Sequence, residues 1–411
     1  MNLSYNWLKN YVAFDVSPEK LSELLTDCGL EVEKMERVQS VKGGLEGIII
    51  GKVLSCEKHP NADTLSKTTV DVGNGIVLPI VCGAPNVAAG QKVAVATVGT
   101  TLYDGDDSFK IKKSKIRGEV SEGMICAEDE LGLGTDHDGI MVLEEDALIG
   151  SNAKDYFKIV DDFRFEIGLT PNRSDATSHI GSARDIVAVL NQIHGNDESK
   201  LMLPDVSGFK VDNTNLDIEV IVEDENACPR YSGLSLSNIE VKESPEWLKN
   251  ALKTIDIRPI NNIVDITNYV MYETGQPLHA FDADAVKGNK VVVKKMAKGS
   301  KFVTLDEVER ELSGNDLMIC NAEEGMCIAG VFGGMKSGIT TKTKNMFLES
   351  AYFEPTGIRK TAKFHGLKTD ASFRYERGAD PNISVYALKR AAMLIKEIAG
   401  ASISSEIKDV Y

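Results

Sequence analysis

The chain has 411 residues, 42% of them apolar and 26% charged, which suits a globular protein of roughly two to four domains. Its formal net charge of −16 argues against nonspecific nucleic-acid binding, because phosphate contacts need lysine and arginine. No run of about 18 apolar residues occurs, which argues against a membrane-spanning helix, and the seven scattered cysteines form no C-x-x-C pair, so the expectation is a cytoplasmic chain with reduced thiols.

The opening residues, MNLSYNWLKNYV, lack the basic-then-apolar layout of a secretory signal. Ser17 then precedes Pro18 as an N-cap, and Leu21, Leu24, Leu25 and Cys28 share one helical face that Gly29 ends. From 40 to 150 the pattern changes. GIIIGKVLSC, SKTTVDV, IVLPIVC, QKVAVATVG and FKIKKSKI are short strand-like runs between Gly, Pro, Asn and Asp turns, and they predict a small barrel or sandwich. In the last run Phe109 and Ile111 alternate with Lys110 and Lys112, which predicts a strand showing its lysines on one face. The ten residues FKIKKSKIRG hold Lys110, Lys112, Lys113, Lys115 and Arg117 with no acid, a local exception to the acidic balance.

From about 163 the sequence reads as strand, polar loop and helix, with Ile180, Ala183, Val187, Leu190 and Ile193 at helical spacing before Gly195. GNDESKLMLPDVSG, 195–208, has linker composition. Residues 210–400 look like one α+β domain. Within it Ser244 opens the helix SPEWLKNALKTI, Ile263, Thr267, Val270 and Met271 form one side of a second helix, and Leu388, Ala391, Ile395 and Ile398 form the core face of the last. ASISSEIKDVY then begins a strand.

Chemistry candidates are sparse. The six histidines include no HExxH pair. His59 and Cys82 sit in HPNADTL and CGAPNV, whose Pro, Asn and Asp suit tight corners, with Asp63 capping the local backbone. There is no P-loop and no G-x-S-x-G elbow. GVFGGMKSG either brings backbone close to a ligand or makes a bulge. One constellation is denser: Thr267 and Asn268 on a helix, His279 in PLHAFD, Glu349 in FLESAYF, and Thr369 and Ala371 in HGLKTDASFRYERG. Taken singly, a glutamate in an apolar strand is also a salt-bridge partner and a histidine also a structural hydrogen-bonding group.

HPNADTL, CGAPNV and KIRGEVSEGMICAEDELGLG resemble the tRNA-binding OB-fold of several synthetases. MNLSYNWLKNYV, LTPNRSDATSHIGSARDI, NNIVDITNYVMYETGQPLHAFD, AGVFGGMKSG and LESAYFEPTGIRKTAKFHGLKTDASFRYERGAD resemble, in that order, the bacterial phenylalanyl-tRNA synthetase β subunit. The resemblance implies an α+β multidomain fold. An OB-fold barrel, 40–151, would be inserted in an N-terminal α+β domain, 1–39 plus 152–195. A mixed α+β editing domain of B3/B4 type would occupy 200–400, and 401–411 would start a further domain that this chain lacks. The α subunit, a separate chain, would carry the aminoacylation site, so that ATP-dependent, Mg²⁺-requiring charging of tRNA(Phe) needs an α2β2 heterotetramer. No cofactor is implied for this portion.

In the resemblance Glu349 recognises the hydroxyl of a mischarged tyrosine, and Thr267, Asn268, His279, Gly330, Thr369 and Ala371 fall on editing-pocket positions. The first three are the catalytic candidates, and Glu349, Gly330, Thr369 and Ala371 bind substrate. The cations Lys110, Lys112, Lys113, Lys115 and Arg117 are candidate tRNA contacts. The logic is chemical: a hydrophobic pocket rejects an isostere that merely adds a hydroxyl only about a hundredfold, whereas a carboxylate accepts a hydrogen bond from a phenol and gets none from a phenyl ring. FRYERG superficially matches the active-site signature of class II synthetases, but without a later partner motif Arg374 and Glu376 read as structural ion-pairing residues. The alternative reading is a noncatalytic OB-fold tRNA-binding or assembly protein, supported by the cationic strip.

Overall fold

A computed structural model describes residues 1–105 and 107–411. They form two compact units, Arg37–Asp162 and, separately, Met1–Glu36 with Phe163–Tyr411.

The Arg37–Asp162 unit is built on an antiparallel sheet in the order Gly123–Ile125, Lys92–Thr97, Ile48–Lys58, Ser66–Asp71, Val77–Cys82. Alternation puts Val53, Val70, Ile80, Val93 and Val95 on one interior. A register shift between Val53 and Ser55 bends the long strand. The sheet then nearly closes on itself, because the Glu122 N–H donates to Pro79 O at 2.8 Å and the Val81 N–H to Ser121 Oγ at 3.1 Å. At one corner the buried His59 accepts the Asn61 N–H on Nδ1 (3.0 Å), leaving Nε2 to donate to Ile116 O (3.1 Å). The ring is a structural bracket between a turn and a strand.

The continuous strand predicted for FKIKKSKI is divided. Asp107–Lys110 pairs with Thr101–Asp104, Ser114–Ile116 pairs with Glu119–Ser121, and residues 111–113 belong to neither. The buried Ile111 causes the break. Its N–H donates to Thr100 O (2.8 Å) and its carbonyl accepts from Gly99 (2.9 Å), so the chain is pinned where it leaves one hairpin for the next.

In the other unit an antiparallel sheet runs Leu278–Asp282, Met346–Tyr352, Arg230–Ser237. Period-two alternation sorts its faces. Met346, Leu348, Leu234 and Leu236 pack against the helices Asn262–Thr274 and Ser384–Ala399. Phe347, Ala351, Tyr231 and Phe281 share a second core with a mixed sheet, Glu219–Val222, Lys290–Lys295, Leu317–Cys320, Gly325–Ile328, Phe332–Gly333.

At two predicted boundaries the packing is continuous. Leu3, Trp7, Tyr11, Leu21, Phe165, Ile180 and Leu190 join the same core as Ile266, Val270 and Leu388, so one apolar interior spans what the sequence divides near residue 200. Trp7 stacks between His179 (3.9 Å) and Tyr269 (4.3 Å), and the Tyr11 hydroxyl donates to Glu273 (2.8 Å), which also receives Arg390 (2.9 Å). Residues 401–411, expected to open another domain, instead supply Ser402–Ile403 and Lys408–Val410, both paired with Arg230–Ser237. The Arg230 guanidinium and the Ser232 hydroxyl, both donating to Asp409, hold them there.

Candidate functional site

Glu349 and His279 are placed by strand register. They are direct partners across the antiparallel pair Met346–Tyr352 and Leu278–Asp282, so their side chains leave the same face. That face is the one shared with the second sheet, since Glu349 lies between Phe347 and Ala351 in a strand whose alternate residues face the helices. On its other flank the position opposite Glu349 is Gly233, which offers no side chain. The hydroxyl of Tyr231, two residues earlier, donates to Glu349 Oε2 at 2.6 Å.

Burial pushes the Glu349 carboxyl up to about 7, although the Tyr231 hydroxyl works the other way. Among the described residues the His279 imidazole has no hydrogen-bond partner, and desolvation holds it down to about 4, so it is neutral at pH 7. Its ring lies edge-to-face with Phe281 at 4.5 Å.

Both groups line a cavity of about 70 Å³, with room for several waters. Gly330, Gly333 and Ala371 complete the parts of its wall that matter here. The glycine-rich stretch allows close backbone approach. A Cβ at Gly333 would fall 3.0 Å from His279 Cε1 and 2.8 Å from Leu305 Cδ1. Gly330 has φ +66, and a Cβ there would meet Tyr375, Phe353 and Ile358 at 2.8–3.0 Å.

The structure therefore brings His279, Glu349, Gly330 and Ala371 to one cavity. Thr369 stands behind the wall. Its hydroxyl donates to Val331 O (3.1 Å) and caps the helix Asp370–Tyr375 that carries Ala371, in a capping box with Ser372. Thr267 and Asn268 lie on the helix Asn262–Thr274, and neither lines this cavity. The Thr267 hydroxyl donates to Val264 O at 2.8 Å within its own helix. Arg374 and Glu376 do not pair with each other. Arg374 is buried, donates to Asp370 O (2.9 Å) and lies 4.4 Å over the Tyr272 ring, while Glu376 pairs with Arg377 (2.8 Å).

In the barrel-like unit Lys110, Lys112, Lys113, Lys115 and Arg117 are all exposed. Lys113 pairs with Glu122 at 2.6 Å, whereas the other four make no ion pair among the described residues.

The "B3/4 domain" family matches residues 227–400, and the "Putative tRNA binding domain" family matches residues 48–152. Over this whole chain the sequence is 61% identical to the phenylalanine-tRNA ligase beta subunit of Bacteroides thetaiotaomicron, covering 50% of that protein. It is 55% identical to the beta subunit of Porphyromonas gingivalis and 48% identical to that of Geobacter metallireducens, again over 100% of this chain and 50% of theirs. Along its whole length the chain is similar to phenylalanine-tRNA ligase beta subunits. It spans about half the length of the curated relatives it matches.

Tyr231, whose hydroxyl reaches Glu349, is among the residues of the site that the sequence alone did not single out. It sits in RYSGLSLS, which reads as an ordinary strand. Its partner is 118 residues away, and only the register of that pairing reveals the contact. Ser244, predicted as an N-cap, also differs. The helix runs Glu246–Thr254, and the Ser244 hydroxyl instead donates to the buried Asp265 at 2.5 Å.

Proposed function

We propose that this chain is the tRNA-binding and editing portion of a cytoplasmic phenylalanyl-tRNA synthetase. Its Arg37–Asp162 unit acts as an OB-fold that contacts tRNA(Phe), and the pocket around Glu349 hydrolyses tyrosine mistakenly joined to that tRNA. Charging with phenylalanine, which uses ATP and Mg²⁺, belongs to the α subunit of an α2β2 assembly.

The observation that carries the reading is the registered pair of Glu349 and His279 on one cavity. A carboxylate in such a place accepts a hydrogen bond from a phenol, and against a phenyl ring the oxygen that Tyr231 does not hold would stand desolvated without a donor, at a cost of about 1–3 kcal/mol. The neutral imidazole has both ring nitrogens available, one to accept and one to donate, which suits it to orient a water or the terminal ribose. The aminoacyl ester is already activated, so a positioned water and oriented donors suffice for its hydrolysis. Gly330 and Ala371 leave room for the substrate and Thr369 holds the wall, while Thr267 and Asn268 are candidates by family resemblance alone.

The test is deacylation of tyrosyl-tRNA(Phe) by the wild type, Glu349→Ala and His279→Ala. Loss of activity in the first variant with retained tRNA affinity supports the assignment, and equal rates in all three remove it. A noncatalytic tRNA-binding role is favoured instead if the exposed cations around Lys112 retain tight tRNA binding while every pocket variant behaves like the wild type.

A further inference from the structure

The strand Arg230–Ser237 brings a phenol of its own to Glu349. Tyr231 is fully buried, and its single hydroxyl proton is engaged with Glu349 Oε2 at 2.6 Å, a length typical of a charge-assisted O–H···O bond. The geometry is not incidental to packing. Directly across from Glu349 stands Gly233, where a Cβ would fall 2.2 Å from Phe347 Cζ, so no side chain fits at the nearer position. The carboxylate is instead reached diagonally from Tyr231, whose register partner is Ala351. Glu349 Oε1 has no hydrogen-bond partner among the described residues.

We infer that Tyr231 is a positioning residue for substrate recognition: its hydroxyl holds Glu349 Oε2, so that Oε1 alone is offered to the incoming phenol of a mischarged tyrosine. The inference rests on the editing role proposed for Glu349. It assigns the two carboxylate oxygens to two phenols, one internal and permanent, the other brought by substrate. A protonated carboxyl would present a hydroxyl as readily as an acceptor and would lose that distinction.

The surroundings leave Tyr231 as the group that opposes protonation of Glu349. The other titratable neighbours are His279 on the adjacent strand, Cys228, Cys327 on the second sheet, and Tyr375 on the helix Asp370–Tyr375. Burial pushes both thiols and the Tyr375 phenol upward and holds His279 near 4, so all four are neutral around pH 7. Against the desolvation that favours the neutral carboxyl, the Tyr231 bond stands by itself.

The experiment follows tyrosyl-tRNA(Phe) deacylation by the full chain from about pH 5 to about pH 9 in wild type, Tyr231→Phe and Glu349→Gln. The Glu349 carboxyl is titrated in parallel by its infrared C=O band, as the difference from Glu349→Gln. Loss of one hydrogen bond to a charged group should move both the titration and the acid limb of the rate profile up by about one pH unit. Tyr231→Phe is then about tenfold slower at pH 6 and within about twofold of wild type at pH 9. If Tyr231→Phe titrates and hydrolyses like the wild type while Glu349→Gln is inactive, this inference is overturned and the editing role survives. If wild type and Glu349→Gln deacylate alike, the editing role falls first and this inference with it. Should Tyr231→Phe fail to fold, 3-fluorotyrosine at position 231, a more acidic donor, must shift both titrations downward, and an unmoved pair overturns the inference.

Discussion

Glu349 and His279 face each other in register on neighbouring antiparallel strands, and burial drives their proton affinities in opposite directions, to about 7 and about 4. Each group is held toward its neutral form by the same desolvation. The pair is therefore a buried acid beside a half-buried base, with no counter-ion fixing either charge among the described residues.

Glu349 makes the fold less stable in alkali. Its folded-state pKa lies above the ordinary 4.5, so between about 4.5 and 7 the folded chain binds more protons than the unfolded one. Stability from this group is present below 4.5 and is lost as pH rises through 7. Glu349→Gln removes that dependence. Urea unfolding should show the variant gaining on wild type by about 3 kcal/mol between about pH 4 and about pH 8. A difference that stays flat with pH would show that the carboxyl is solvated.

His279 contributes in the opposite sense. Its folded-state pKa lies below the ordinary 6.5, so the unfolded chain takes the extra proton, and stability declines as pH falls from 6.5 through about 4. In proton NMR the His279 ring resonance, assigned by its loss in His279→Gln, should show no midpoint near 6.5 and should titrate near 4. A midpoint near neutrality would mean that the imidazole has bulk water around it.

Gly330→Ala should damage both fold and pocket. The added methyl meets three side chains at 2.8–3.0 Å on a backbone with φ +66. Overpacking and the left-handed backbone together should cost about 2–4 kcal/mol in chemical denaturation. Deacylation should fall even where the variant remains folded, because the same strain displaces Tyr375 and the cavity wall. A variant of wild-type stability and activity would contradict the close approach.

The exposed cations of the barrel-like unit give a salt-dependent prediction. Replacing Lys110, Lys112 and Lys115 together by alanine should weaken tRNA binding and flatten the dependence of log affinity on log salt by about 2–3 units. Lys113→Ala should do less, since Glu122 already neutralises that lysine at 2.6 Å. An unchanged slope in the triple variant would take the strip out of the RNA interface.

Local signals were readable in the sequence because they depend on near neighbours. Ser17 caps the helix Pro18–Asp27 by accepting the Lys20 N–H (3.2 Å), and Leu21, Leu24 and Leu25 are its buried face. The helices ending at His194, Thr274 and Ala399 likewise stop at Gly195, Gly275 and Gly400. What periodicity could not supply was register between distant segments. It decides that Tyr231 reaches Glu349, that Ser244 serves Asp265 rather than its own helix, and that residues 402–410 return to the Arg230–Ser237 strand. The family motifs located Glu349, His279, Gly330 and Ala371, which do meet at one cavity, but motif order said nothing of how far Thr267 and Asn268 stand from it.

The return of residues 402–410 has a practical side for anyone trimming this chain. A cut just after the helix Ser384–Ala399 would look tidy by composition, yet it would strip the partner from one flank of the strand that carries Tyr231 and set the Arg230 guanidinium loose from Asp409. The unzipped border would bare a row of amides and carbonyls, the kind of seam through which sheets stick to one another and precipitate.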